Sequence, residues 1–298
     1  MRLRSCKGDI RMKKAVRVFA LILALMTVLT VCTFAADEDE VNFLVLGDSI
    51  TQGYGVANSS EAAYGRIVAD TNGWNYENYA RVAYDTSDML YMLENYSWYR
   101  SAIKQADIIN VCIGSNNYLA NEDVVKIAAG ALFHLNSRQL DEIADGIYED
   151  YFTIYDEIRE LNPDATLIFN NIYCAWKGLG HIIFSQAVER INAKLYAFAE
   201  AHPDVIIFDA SSVITHNTEL IADDCVHPNA AGNAALAKKM LELMKEKGFC
   251  ENTKPVILTP GEDYNFYVEE FGKFGGTLLS VLIKILTGNL FLEGNFKG

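Results

Sequence analysis

The sequence predicts an α/β domain, a doubly wound three-layer α/β/α sandwich around a mainly parallel sheet of five strands. Short apolar runs, each bounded by turn-forming residues, alternate along the chain with longer stretches of helical periodicity. The short runs are continuously apolar rather than alternating, which is typical of parallel strands that helices cover on both faces. Ligands bind such sheets at the carboxyl ends of the strands.

Five segments are predicted as strands and six as helices. The strands are Val41–Leu46, Tyr76–Tyr79, Ile108–Ile113, Thr166–Asn170 and Val205–Phe208, of which the second has the weakest pattern. The helices are Ala62–Thr71, Thr86–Leu93, Asn121–Leu135, Gln139–Leu161, Ser185–Ala201 and Asn229–Lys247. The helical stretch 121–161 is long for one crossover, and a lid over the ligand crevice is one interpretation of its length.

Residues 1–35 have the layout of a secretory signal peptide. Three basic residues between 13 and 17 precede the apolar run Phe19–Val31, and Thr33-Phe34-Ala35 leads into an acidic stretch. We expect cleavage after Ala35 and a secreted protein. An uncleaved anchor helix is the alternative, although the apolar run is short for a membrane span.

The remaining chain is divided into an α/β domain, residues 36–250, and a C-terminal extension, residues 251–298. Two prolines and Gly261 mark a connector after Cys250, and Thr277–Leu286 then reads TLLSVLIKIL. This run is too short to span a bilayer, so we expect it to dock on the domain. An exposed amphipathic segment in weak contact with a membrane or another surface is the alternative.

Charge and cysteine spacing restrict the partners. The formal net charge is −14, and removal of residues 1–35 would take away seven basic residues and one acidic residue and leave −20. Such a surface repels nucleic acid and anionic lipid headgroups, so no nucleic-acid partner is expected. Four cysteines follow residue 35, with neither CxxC nor zinc-site spacing. Cys112 is expected to be a buried thiol, and Cys174 and Cys225 are a candidate disulfide. The sequence carries no signal for an oligomeric state.

Ser49 is the first candidate for chemistry. The stretch VNFLVLGDSITQGYG, residues 41–55, ends an apolar strand in Gly-Asp-Ser, so Ser49 stands where an α/β sheet forms its ligand crevice. A serine hydroxyl is a weak nucleophile unless a base accepts its proton. The surrounding residues do not form a Gly-x-Ser-x-Gly elbow, so the base has to be found elsewhere. A polar turn that only ends the strand is the alternative.

His227 is the candidate base among five histidines. It lies in DDCVHP, residues 223–228, between the last predicted strand and the last predicted helix. Asp224, three residues earlier, can fold back in one turn and accept the Nδ1 proton, which leaves Nε2 to act on Ser49. Capping of the following helix by these acidic residues is the alternative reading of this motif.

Two further loops follow predicted strands. The third strand runs into Gly114-Ser115-Asn116-Asn117, where the side-chain amide of Asn116 is a candidate donor to a developing oxyanion. The second strand runs into residues 78–86, where a backbone N–H is a candidate for the same task. Each loop alone is also an ordinary turn, because asparagine and glycine commonly end strands.

Taken together, the motifs resemble the blocks of the SGNH, or GDSL-type, hydrolase family over about residues 41–247. Gly47-Asp48-Ser49-Ile50-Thr51 matches the first block, GSNN at 114–117 is close to Gly-x-Asn-Asp, and DCVHP at 224–228 matches Asp-x-x-His-Pro. The resemblance implies a flavodoxin-like fold and ester hydrolysis without a metal or cofactor. It also implies that Ser49 is the nucleophile, His227 the base and Asp224 the partner of the imidazole.

The resemblance further implies an oxyanion hole made by the N–H groups of Ser49 and Ala83 and the side chain of Asn116. The second block of the family normally has a glycine where this chain has Ala83, and alanine constrains the backbone more strongly. Asparagine at 117 replaces the aspartate of the third block. We also predict that three neighbouring residues contact the substrate, namely Asp48, Asn117 and Tyr118.

The resemblance leaves the substrate open between small-molecule and glycan esters. Carbohydrate deacetylase, short-chain esterase, lipase and thioesterase activities all belong to this class, and Tyr54, Tyr118 and Trp176 are candidates to line the crevice. A catalytically silent binding protein of the same fold is the alternative. The joint presence of serine, histidine, aspartate and asparagine argues against it, because binding alone does not require that set.

Overall fold

The computed structural model describes residues 40–265 except 122, 134–136 and 177. The strands are β1 Asn42–Gly47, β2 Asn75–Asn78, β3 Ile108–Cys112, β4 Thr166–Asn170 and β5 Val205–Phe208. The helices up to β4 are α1 Ser49–Gln52, α2 Ser59–Ala62, α3 Tyr64–Asn72, α4 Thr86–Asn95, α5 Ser97–Gln105, α6 Asn116–Leu119, α7 Val124–Leu132 and α8 Ser137–Leu161. Those after β4 are α9 Gly178–Ala201, α10 Ser211–Ile214, a 3₁₀ turn Thr218–Leu220 and α11 Ala230–Glu246.

The five strands form one parallel sheet in the order β2-β1-β3-β4-β5. The chain moves outward from β1 to β2 and then returns past β1 to continue with β3. The order therefore reverses beside β1, and a doubly wound sheet opens its ligand crevice at this point. The predicted α/β class and parallel sheet are confirmed.

Burial explains why some strands were easier to predict than others. All five residues of β3 are buried, and so are five of the six residues of β1, as the continuous apolar runs indicated. Strand β2 lies at the edge of the sheet and exposes Asn75 and Glu77, which accounts for its weak apolar pattern. The predicted bounds of β4 and β5 agree with the structure, and those of β1, β2 and β3 differ by one residue.

Several helices depart from the predictions: the four-residue helices α1, α2, α6 and α10 were not predicted, and α7 is shorter than the predicted helix 121–135. The two largest differences concern α5 and α9. Helix α5 was missed, because only Tyr99 and Ile103 of its nine residues are buried and its apolar stripe is narrow. Helix α9 begins at Gly178, seven residues before the predicted start at Ser185. Its first turn has the sequence Gly-Leu-Gly, which has low intrinsic helix propensity, so packing rather than local preference extends the helix.

The sheet interior also holds a small polar cluster. The amide of Asn110, in the middle of β3, accepts a hydrogen bond from the Tyr64 hydroxyl at 2.6 Å and donates one to Asn170 Oδ1 at 2.6 Å. Asn170 in turn donates to the Tyr64 oxygen at 2.8 Å. Buried polar groups cost little when they are paired in this way, and the cluster fixes α3 against β3 and β4.

Part of the predicted C-terminal extension, residues 251–265, contacts the α/β domain. Residues 251–265 form no helix, but Val56 and Asp263 form an antiparallel bridge, and the Val256 N–H donates to Thr71 Oγ1 at 2.9 Å. The predicted signal peptide, 1–35, and the apolar run 277–286 lie outside the described residues. Within the described part of the chain, none of the helices is both long and apolar enough to cross a bilayer.

The candidate disulfide does not form. Cys174 is a buried free thiol, and it lies with Cys225 and Trp176 in a small apolar cluster. Cys112 is buried and free, as expected for a cysteine within a central strand.

Candidate active site

The turn that carries Ser49 is set by the end of β1. Gly47 has φ 140°, and a Cβ at this position would lie 2.1 Å from the carbonyl oxygen of Cys112 on β3. Asp48 then caps α1, because its Oδ1 accepts the Ile50 N–H at 2.9 Å. Gly53, with φ 80°, ends the helix after a single turn. Ser49 thus occupies the first helical position at the carboxyl end of β1, with only 7% of its surface exposed.

The loop after β5 brings His227 to this serine. His227 Nε2 lies 2.7 Å from Ser49 Oγ, although 178 positions separate the two residues in the sequence. On the other side of the ring, Nδ1 hydrogen-bonds to Asp224 Oδ2. Asp224 Oδ1 accepts the backbone N–H groups of Val226 at 3.0 Å and His227 at 3.1 Å. Asp224 therefore shapes the turn and orients the imidazole. Hydrogen bonds connect serine to histidine and histidine to aspartate, which is the arrangement that activates a serine nucleophile.

The two candidate oxyanion residues after β2 and β3 lie beside Ser49. Ala83 and Asn116 line the same cavity as Ser49 and His227. Ala83 has φ 65°, in the left-handed region that favours glycine. This conformation agrees with the glycine that the second block of the family normally has at this position. Asn116 Nδ2 donates to the Tyr84 carbonyl at 2.8 Å, so the loop after β3 holds the turn after β2.

Asp48 does not have the predicted role of a substrate contact. Its side chain is fully buried, and while Oδ1 caps α1, Oδ2 accepts the Ser115 hydroxyl at 2.7 Å. Burial raises the pKa of Asp48 to about 6, against the opposing effect of these hydrogen bonds. The carboxyl group therefore ties the Ser49 turn to the loop after β3 from beneath the site.

Asn117 also differs from its predicted role. Its Oδ1 accepts the Thr86 N–H at 3.3 Å and its Nδ2 donates to Thr86 Oγ1 at 2.8 Å. It lines a second cavity with Asp85 and Asp150, and it is not among the residues that line the one beside Ser49. The side chain therefore anchors the start of α4.

A cavity of about 290 Å³ extends from Ser49 and His227 into the protein. Its walls are mostly apolar, and α9 contributes Phe184, Val188 and Ile191. Tyr118 lines it as predicted, with its hydroxyl donating to the Leu140 carbonyl at 2.6 Å. Trp176 lines it as well and stacks on Phe184 with ring centroids 4.0 Å apart. The α9 wall was missed from sequence, since apolar residues on an amphipathic helix look alike whether they line a cavity or fill a core.

Tyr54 is not among the residues that line this cavity and contacts the histidine instead. Its ring packs edge-on against the His227 imidazole, with centroids 5.1 Å apart. No cluster of metal-ligating side chains occurs among the described residues.

Comparison with known proteins identifies a family and a relative. Residues 45–235 match the model of the GDSL-like lipase/acylhydrolase family. An uncharacterized protein of Bacillus subtilis (strain 168), YpmR, is 25% identical over 266 residues, which is 78% of this chain and 97% of that protein.

Solved structures share the fold. The lipase Lip_vut3 from a goat rumen metagenome superposes with a TM-score of 0.57 at 19% identity, covering 70% of this chain and 98% of the lipase. Phospholipase A1 from Streptomyces albidoflavus NA297 superposes with a TM-score of 0.53 at 16% identity, covering 70% of this chain and 100% of the phospholipase.

Proposed function

This chain belongs to the GDSL-like lipase/acylhydrolase family, and we propose that it hydrolyses carboxylic esters with Ser49 as nucleophile, His227 as base and Asp224 as partner of the imidazole. The observation that carries the proposal is the 2.7 Å contact between Ser49 Oγ and His227 Nε2. A nucleophile and a base within hydrogen-bond distance, with the base oriented by a third group, form the general arrangement for acyl transfer.

The reaction proceeds in two halves. Ser49 Oγ attacks the ester carbonyl carbon while Nε2 of His227 takes the hydroxyl proton. The resulting imidazolium, stabilised by Asp224, then donates this proton to the leaving alcohol oxygen as the C–O bond breaks. Water attacks the acyl-serine in the same manner, and the carboxylic acid leaves.

Three donors stabilise the tetrahedral oxyanion in this proposal. They are the backbone N–H groups of Ser49 and Ala83 and the side-chain amide of Asn116. An amide nitrogen carries two hydrogens, so Asn116 can hold the Tyr84 carbonyl with one and the oxyanion with the other. Support comes from the position of all three residues on the wall of one cavity.

For the substrate we propose an ester with an acyl chain longer than acetyl. The apolar wall from Tyr118, Trp176 and α9 suits a hydrocarbon chain, whose burial is favourable by about 0.8 kcal/mol per methylene. An acetyl group would leave most of this volume unfilled. For this reason acetylated glycans are only the second candidate substrate. The feature that favours them is the pair of stacked rings of Trp176 and Phe184, because aromatic rings also bind the faces of sugars. Secretion after removal of residues 1–35 also belongs to the proposal.

The test uses the full chain and 4-nitrophenyl esters from acetate to decanoate. Wild-type protein is expected to hydrolyse them, and Ser49→Ala to lose at least about 10⁴-fold in kcat/KM, since the triad acts as a unit. Equal rates for the two proteins would contradict the proposed enzymatic activity and favour a catalytically silent binding protein.

The chain-length dependence tests the acyl cavity. We expect kcat/KM to rise from acetate toward medium chains. Val188→Trp, which fills the cavity, is expected to reverse this preference and to spare acetate. The control is Ile182→Trp on the same helix, where the wild-type side chain is 43% exposed and should leave the preference unchanged. A flat profile in all three proteins would argue for a small acyl group.

A further inference from the structure

Residues Pro260–Tyr264, which we call the C-terminal strap, pair with the segment that follows α1. Val56 and Asp263 form the antiparallel bridge, the Ala57 N–H donates to the Glu262 carbonyl at 2.7 Å, and the Tyr264 N–H donates to the Gly55 carbonyl at 3.1 Å. The strap lies beyond residues 45–235, which match the family. It is therefore an addition to the matched part of the chain, in direct contact with residues 55–57, which follow the helix that carries Ser49.

The strap also contacts the loop that carries His227. Asp263 Oδ1 accepts the N–H of Ala230 at 2.7 Å, three residues after the histidine. A Cβ on Gly261 would lie 2.8 Å from the Cβ of Ala230, so the backbone approach is close. Asn58 fixes the start of the strap from both sides, donating to the Pro260 carbonyl at 3.0 Å and accepting the Glu262 N–H at 2.9 Å.

Between these two loops the strap adds an aromatic ring behind the histidine. Tyr264 packs on Tyr54 with centroids 5.6 Å apart, and Tyr54 packs edge-on against the His227 ring with centroids 5.1 Å apart. The Tyr54 N–H donates to the Ser49 carbonyl at 3.0 Å. The imidazole of His227 is thus hydrogen-bonded to Ser49 and Asp224 at its two nitrogens. Its ring contacts Tyr54, which in turn packs against Tyr264.

The two loops have little room to adjust by themselves. A Cβ on Gly55 would lie 2.0 Å from the Pro228 carbonyl oxygen and 3.1 Å from the His227 Cβ. The strap pairs with the backbone at Gly55 on one side and with the start of α11 on the other. The strap therefore contacts both of the segments that flank the hydrogen bond between Ser49 and His227.

We propose that Tyr264 is a positioning residue for His227, acting through Tyr54, and that the C-terminal strap sets the geometry between base and nucleophile. The proposal rests on the ester hydrolysis proposed above. The imidazole has to receive the proton from Ser49 Oγ and pass it to the leaving oxygen with little reorientation, and an edge-on aromatic contact restricts its rotation. Neither Tyr54 nor Tyr264 is among the described residues that line the cavity, so substrate binding should be spared.

The kinetic test compares Tyr264→Ala with Tyr264→Phe in the full chain. We expect Tyr264→Ala to lower kcat about 10- to 100-fold with KM within twofold, because small misplacements of a catalytic group have effects of this size. Tyr264→Phe keeps the ring and should stay within threefold of wild type. The control is Ile257→Ala in the same C-terminal segment, where the wild-type side chain is 47% exposed. Thermal unfolding shows at which temperature every variant is folded, and kinetics are measured there.

A double-mutant cycle tests the route through Tyr54. If Tyr264 acts through Tyr54, the pair Tyr54→Ala and Tyr264→Ala should lower kcat no further than Tyr54→Ala alone. Additive losses would overturn the route, and a wild-type kcat in folded Tyr264→Ala would overturn the proposal. So would equal losses in Tyr264→Ala and Tyr264→Phe.

A measurement without turnover separates this proposal from the proposed function. In protein labelled with ¹⁵N-histidine at one pH, the His227 ring signals are assigned by their absence in His227→Gln. We expect Tyr264→Ala to shift or broaden them and Tyr264→Phe to leave them in place. Unchanged ring signals in Tyr264→Ala would reject the strap's role even in a protein that hydrolyses esters. Absence of ester hydrolysis in wild type, with the ring signals changed, would reject only the function.

Discussion

Two turns at the site, one around Ser49 and one around Ala83, are stabilised in different ways. The Ser49 turn closes on itself, with Asp48 accepting the Ile50 N–H and glycines at its two positions of positive φ, 140° at Gly47 and 80° at Gly53. Within the Ala83 turn, residues 80–85, the Tyr84 N–H donates to the Arg81 carbonyl at 3.3 Å, and the Arg81 side chain donates to the Ala80 carbonyl at 2.8 Å. This turn has an alanine at φ 65°, where glycine would be unstrained.

Contacts from neighbouring parts of the sheet compensate for the backbone strain at Ala83. The Arg81 N–H donates to the Gly47 carbonyl at 3.0 Å, and Asn116 Nδ2 donates to the Tyr84 carbonyl at 2.8 Å. A left-handed conformation costs a non-glycine residue roughly 1–2 kcal/mol. The comparison indicates that a local hydrogen bond and two glycines favour the turn at Ser49, whereas tertiary contacts impose the turn at Ala83 on a sequence that disfavours it. Four substitutions test this difference.

The largest effect is expected for Gly47→Ala. The new Cβ would lie 2.1 Å from the Cys112 carbonyl oxygen in a strand that cannot move away, so we expect a loss of more than about 4 kcal/mol in the free energy of unfolding, or no folded protein. The matched control is Gly73→Ala, where φ is 69° but nothing lies within 4 Å of the new Cβ. It should cost only about 1 kcal/mol. Urea unfolding measures both, and equal costs would mean that the Ser49 turn has room to adapt.

Asn116→Ala is expected to lower kcat about 100- to 1000-fold, because it removes one donor of the proposed oxyanion hole and releases the Tyr84 carbonyl. Hydrogen–deuterium exchange should increase in residues 80–85 and remain unchanged in residues 47–53. Asn117→Ala serves as the control, since this neighbour anchors Thr86 instead, and its loss should lower kcat less than tenfold. Similar rates for the two variants would show that the Ala83 turn does not depend on Asn116.

Asp48→Asn tests the buried carboxyl group below the Ser49 turn. The pKa of Asp48 is raised by burial from its ordinary 3.8 to about 6, so the folded state binds the proton more tightly than the unfolded state does. Its contribution to stability is therefore complete below pH 4 and decreases as the pH rises to about 6, by about 3 kcal/mol in total. Asparagine preserves the helix cap and does not titrate.

The free energy of unfolding of Asp48→Asn should consequently rise relative to wild type by about 2–2.5 kcal/mol between pH 4 and pH 7. Urea unfolding at a series of pH values measures this difference. Parallel stability curves for the two proteins would contradict the raised pKa.

The smallest effect is expected for Ala83→Gly, and its sign is opposite to that of Gly47→Ala. Relief of the left-handed strain should raise the free energy of unfolding by about 0.5–1 kcal/mol, while kcat stays within threefold because the backbone N–H remains. Ala83→Val places a β-branched side chain in the same conformation and should lower both stability and kcat. A destabilised Ala83→Gly would mean that the turn is not strained.

Prediction from sequence worked best where a pattern is local. The apolar runs predicted the first and last residues of β4 and β5 correctly. The predicted family is confirmed by the match over residues 45–235. Prediction from sequence failed for Asp48 and Asn117, whose positions in matched motifs suggested substrate contacts. Which way such a side chain points depends on partners distant in sequence, here Ser115 and Thr86. The strap at 260–264 was not anticipated either, because a proline-rich connector has the same appearance whether or not it packs.

The sequence by itself determined the parts of this protein that close within a few residues. Asp48 caps Ile50 and Asp224 bonds to His227, since both pairs are near neighbours in the chain and their contacts require only one turn of backbone. The approach of Ser49 to His227, the apolar cavity beside them and the aromatic contacts behind the imidazole were decided only by tertiary structure. Each joins segments far apart in the chain, and their meeting depends on strand order and packing rather than on any local preference.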